Sequence, residues 1–161
     1  MATGTVSSLS GDNWQLVATN TPTSGTSTSF TSLTGYRKYR VIWSALTFSG
    51  SAVAMLRFNS DSNNNYIGAA SGYGTSSSEG WSTAAIVAGT AGTTHYGFID
   101  VEDADKTFPK KMQGAWDNQD IGVGDVLNGV YIGSNAITSI TLLDSSGNTI
   151  SSGTVYLYGL A

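Results

Sequence analysis

Histidine occurs once in the 161 residues, at His95, within a run whose alternation places it on a strand with Gly97 and Ile99. A Ser-His-Asp triad would also need a serine on a strained elbow and a partner carboxylate, and no Gly-x-Ser-x-Gly occurs. His95 is therefore expected to be structural. The chain has no cysteine, which removes thiol catalysis, disulfides and thiolate zinc sites together. A glycosidase needs two carboxyl groups across a cleft, but Glu79 and Glu102 are the only glutamates, and no spacing singles out a pair among the aspartates. The stretch Asp100-Val-Glu102-Asp103-Ala-Asp105 carries hard oxygen ligands of the kind calcium takes, yet it lacks the glycine and distal glutamate of a calcium loop. It reads as a solvated turn that ends a strand. No catalytic residue, no metal site and no cofactor site is expected.

Other polar runs point to turns and contacts. Asn59 to Asn65 is dense in side chains that hydrogen-bond their own backbone, which makes it a turn builder. Arg37, Lys38 and Arg40 form the only basic concentration; they suit either an acidic neighbour or a solvated strand entrance. Trp14, Trp43, Trp81 and Trp116 are the rings that could stack on sugars; Trp43 sits in an alternating strand and reads as core, whereas Trp81, beside Glu79 and Gly80, is the best candidate for an exposed one.

These residues must be positioned by strands. Charged residues make up 11 % of the chain, well below the roughly 25 % of an average soluble domain, and Gly, Ser, Thr and Asn fill the gap. With 40 % hydrophobic residues and a net charge of −4 the chain is expected to fold, and seven basic residues offer no face for a run of phosphates. Nucleic acid is not an expected partner. No apolar run approaches a membrane span and Met1 to Asp12 carries no signal-like pattern, so neither secretion nor membrane insertion is expected.

Short alternating runs separated by Ser, Gly and Asn clusters predict strands at Trp14–Thr19, Tyr39–Phe48, Ala52–Phe58, Ser82–Ala88, Thr93–Glu102, Lys110–Trp116, Gly129–Gly133, Ile137–Leu143 and Thr154–Leu160. Ser49-Gly50-Ser51 is expected to close a hairpin between the second and third of these. In the second, Tyr39, Val41, Trp43 and Ala45 should face one way, and Arg40, Ile42, Ser44, Leu46 and Phe48 the other. Ser82–Ala91 is the best helix candidate, limited to one short turn because Ile86 and Val87 favour a strand. Many strands without crossover helices predict an all-β fold, an antiparallel β-sandwich of jelly-roll-like type. The expected organisation is an extended polar arm over residues 1–11 and a single β domain over 12–161.

The last strand carries Val155 and Leu157 on one face and Tyr156 and Tyr158 on the other. Either a loop covers the tyrosines or they meet another subunit. Tyr156, Tyr158, Arg37 and Lys38 are thus the candidate partner-contact residues.

Leu56-Arg-Phe-Asn-Ser-Asp-Ser-Asn-Asn-Asn-Tyr66 resembles a segment recurrent in virion proteins of tailed bacteriophages. The ending, Ile137-Thr-Ser-Ile-Thr-Leu and then Ser152-Gly-Thr-Val-Tyr-Leu-Tyr-Gly159, resembles the closing hairpin of the same jelly-roll fibre, decoration or tail proteins, and Gly97-Phe-Ile-Asp-Val followed by Lys110 and Lys111 is similar to their strand, loop and lysine pattern, without the usual tyrosine after the aspartate. The resemblance spans about two thirds of the chain from Tyr36 onward. It implies a virion structural protein rather than an enzyme: a capsid decoration or cement protein, made in the host cytoplasm, that binds between major capsid protein subunits as a homo-oligomer, expected to be a trimer. The polar arm would order on the shell. The alternative is a receptor-binding or carbohydrate-binding module at the tail.

Overall fold

The structure, a computed structural model, describes residues 13–50, 53–73, 79–89, 94–118 and 123–161. The arm expected over residues 1–11 lies outside them. The described residues contain strands and no helix. In chain order these are β1 (Gln15–Asn20), β2 (Ser27–Phe30), β3 (Lys38–Phe48), β4 (Val53–Phe58), β5 (Tyr66–Tyr73) and β6 (Glu79–Gly80). Then follow β7 (Ala85–Gly89), β8 (His95–Val101), β9 (Lys110–Asn118), β10 (Val123–Tyr131), β11 (Ile140–Asp144) and β12 (Ile150–Leu160).

Two antiparallel sheets pack together: a large one in the order β1-β12-β3-β8-β9-β10-β5-β6, and a small one in the order β2-β11-β4-β7. This is the expected all-β sandwich. Alternation drives it, since β4, β9 and β11 hide every second side chain between the sheets. In β9, Lys110, Met112, Gly114, Trp116 and Asn118 are buried while Lys111, Gln113 and Asp117 face out. Val41, Trp43, Ile99, Leu127, Val155 and Leu157 from the large sheet meet Leu56, Phe58, Val87, Ile140 and Leu142 from the small one. Each such side chain contributes about 1.5–3 kcal/mol by leaving water.

Three expectations need correction. β3 and β4 form no hairpin: β3 pairs with β12 and β8, and β4 pairs with β11 and β7. Each strand has one apolar face, and crossing to the opposite sheet turns both faces onto one core. Of the expected hairpin link, Ser51 lies outside the described residues. The ending behaves alike, with β11 in the small sheet and β12 in the large one, so it is not a paired hairpin either. Thirdly, the alternation of β3 breaks after Trp43. A bulge lies between Trp43 and Leu46, with Ala45 at φ 52°, and the extra residue turns Leu46 and Phe48 to the same buried side as Val41 and Trp43.

The best helix candidate is the strand β7 instead. β2, β5 and β6 were not expected. In β5 the small residues Gly68 to Gly72 conceal the strand, and packing explains part of this: Trp81 lies over the cross-strand pair Gly68 and Gly129, where any Cβ would collide with its ring.

Candidate partner interface

The outer face of the large sheet reads directly from its strand register. One row crosses seven neighbouring strands as Thr19, Tyr156, Ile42, Phe98, Ala115, Val126 and Ser71. It contains no charge. The adjacent row runs Leu16, Tyr158, Arg40, Asp100, Gln113, Asn128 and Ala69. Beyond it, Lys38 pairs with Glu102, whose backbone N–H donates to the Lys111 carbonyl; Val130 and Ile67 follow. Leu16, Ile67, Val126 and Phe98, at 56 %, 58 %, 55 % and 37 % exposure, all lie on this face. Phe108 and Ile132 complete the described large exposed apolar side chains. Scattered apolar residues are ordinary on a surface, whereas a contiguous band marks an interaction site.

The charges on the face are held in place. Arg40 donates from Nε and Nη2 to the two carboxylate oxygens of Asp100, both at 2.6 Å, and this pairing raises its pKa against the opposing effect of burial. Its guanidinium lies 4.9 Å from the centre of the Trp14 ring and 5.2 Å from that of Phe98, a cation within reach of two aromatic rings. Lys38 Nζ donates to Glu102 Oε1 at 2.7 Å and holds that carboxyl below its usual range. An arginine fixed by a carboxylate and two rings is pre-organised, so docking costs little further side-chain entropy.

Of the residues expected to touch a partner, Tyr156 and Tyr158 are half-buried on this face, while Val155 and Leu157 are fully buried beneath them. Lys38 joins them at the edge of the face, engaged with Glu102. Arg37 instead ties chain segments together: its Nε donates to the Ala161 carbonyl at 2.9 Å, and its own carbonyl accepts from the Ala104 N–H. Sequence reasoning missed Trp14, Ile42, Phe98 and Val126 as members of the patch. The signal existed in β8 and β10 as apolar residues out of phase with the buried ones, but it needed the strand order to become one surface.

His95 is buried, with its ring near those of Phe48 and Trp116. Trp81 is 7 % exposed, which corrects its expected exposure to solvent and to sugars; Trp43 and Trp116 are buried too. In the acidic stretch, Asp100, Glu102 and Asp105 each pair with a cation, and no cluster of potential metal ligands occurs among the described residues. The Asn59–Asn65 run is a turn, with Asn59 and Ser60 at positive φ. Asn59 Oδ1 accepts from the Thr138 and Ser139 N–H groups, and its Nδ2 donates to the Ala136 carbonyl. Among the described residues, no helix is long and apolar enough to cross a membrane.

No known protein family matches the chain, and no curated protein matches it.

Proposed function

We propose that this chain is a structural protein that works by docking on other proteins through the outer face of its eight-stranded sheet. The observation that carries the reading is the uncharged band from Tyr156 through Ile42, Phe98 and Ala115 to Val126, flanked by the clamped Arg40. Aromatic residues and arginine dominate binding energy at protein interfaces, and this face collects both. The resemblance of the Leu56–Tyr66 segment to tailed-phage virion proteins supports the finer reading. In it, the chain is a jelly-roll-type capsid decoration or cement protein that binds between shell subunits of the head and associates with itself. The tail-borne carbohydrate-binding alternative loses its best candidate with the burial of Trp81.

The test is adsorption of the purified full chain to expanded, undecorated heads of a tailed phage, followed by co-sedimentation. The reading expects saturable binding. Absence of binding to heads at micromolar concentration would overturn the virion reading.

A further inference from the structure

The register of the docking face carries a symmetry. Lys38 and Arg40 lie on β3, and their partners Glu102 and Asp100 lie beside them on β8 or just past its end. Ile42 on β3 is level with Phe98 on β8. Consider a two-fold axis in the plane of the face, parallel to the strands and midway between β3 and β8. Rotation about it lays each β3 residue of one copy over the β8 residue at the same level in the other. Arg40 then faces Asp100 of the second copy, Lys38 faces Glu102, and Ile42 faces Phe98. One strand further out, Tyr156 faces the small Ala115, and Tyr158 faces Gln113. Cations meet anions, Tyr156 meets a small side chain, and the two in-chain ion pairs become two four-charge squares.

We propose that this face docks on the same face of a second copy of this chain about that axis, giving a two-fold dimer. The inference rests on the reading of the face as a protein-docking surface, and it names the partner. Charge supports it. The described charged residues on the face, Lys38, Arg40 and Lys111 against Asp100, Glu102 and Asp117, cancel, although the chain as a whole carries −4. A second copy therefore meets no net repulsion there, whereas a strongly acidic or basic partner would find no countercharge. An interface that uses one patch twice closes on itself, so the assembly is a dimer and not the trimer that the resemblance implies. Face-to-face sheets sit about 10 Å apart, room for one interdigitated layer of these side chains.

Complementary variants test the axis by sedimentation velocity on the full chain. The wild type should sediment as a dimer. Ile42→Lys alone and Phe98→Glu alone should each be monomeric, because each homodimer would bury two charges against apolar partners. Mixed one to one, they should form a heterodimer, because in that pairing the introduced lysine meets the introduced glutamate and the other half of the contact stays wild type. The dissociation constant of the mixture should fall at least tenfold below that of either variant alone. A monomeric or trimeric wild type would overturn the proposal, as would dimers that survive both substitutions or a mixture that stays monomeric. A wild-type monomer that still adsorbs to heads would sink the dimer and leave the virion reading standing; a dimer behaving as described that ignores heads would do the reverse.

Discussion

The hydroxyl of Tyr131 donates to Asp61 Oδ2 at 2.9 Å and so joins the end of β10 to the turn that follows β4. Asp61 also accepts from the Asn63 N–H, from Asn63 Nδ2 and from Asn65 Nδ2. Burial alone would raise the pKa of this carboxyl, but the hydrogen bonds from Asn65, Asn63 and Tyr131 together outweigh it and hold the group at about 2.

A depressed carboxyl pKa fixes the sign of the acid response. The folded form holds the ionised carboxylate more tightly than the unfolded form, so this contribution is complete above the ordinary carboxylate pKa of about 4. It is lost as pH falls from there toward about 2. Thermal melts at successive pH values should show Tm dropping across that window in the wild type. Asp61→Asn should melt lower at neutral pH and show a flatter acid limb.

Buried phenols set the alkaline response. Burial pushes Tyr39 and Tyr66 up to about 12 and raises Tyr131 as well, with the hydrogen bond to Asp61 adding to the last. Their raised folded-state pKa values contribute stability that is complete below about 10, the ordinary phenol value. That stability is lost as pH rises toward 12. Tyrosinate absorbance for these three residues should appear together with loss of the sheet circular dichroism signal, not before it.

Lys110 is fully buried and donates to the Gly133 carbonyl at 2.8 Å and the Asn135 carbonyl at 2.6 Å, clasping the loop after β10. Burial lowers its pKa. Lys110→Ala should cost about 2–4 kcal/mol in urea denaturation, from unsatisfied carbonyls and the vacated volume. Lys110→Met, which fills the space without a charge to desolvate, should cost less.

The bulge in β3 is matched across the ladder by Gly153 at φ 116°, where an added Cβ would strike the Leu46 backbone. Gly153→Ala should destabilise the fold by about 1–3 kcal/mol, read as a lower urea midpoint with an unchanged slope.

Much of the sandwich was legible because alternation is a local property. The strand cores around Val41, Leu56, Ile99 and Leu157 could be read residue by residue, and so could the opposition of Tyr156 to Val155. Sheet membership could not, since β3 and β4 carry the same signature whether they pair or face each other across the core. The phase of β3 beyond Trp43 depends on one inserted residue, and a period of two cannot reveal an insertion. β5 was hidden by glycines and alanines, of which Gly68, with its cross-strand neighbour Gly129, makes room for Trp81. The uncharged band was invisible for a related reason: its members come from strands far apart in sequence, and only the order β1-β12-β3-β8-β9-β10-β5 sets them side by side.

The claim that the outer face of the large sheet is covered in the working assembly is tested most directly by hydroxyl-radical footprinting, with modification at each residue compared between the dilute chain and the assembled particle. Trp14, Phe98, Tyr156 and Tyr158 should lose most of their reactivity on assembly, while Phe108, half exposed in the loop between β8 and β9, should keep its own. Equal labelling of Phe98 and Tyr156 in both states would contradict the account.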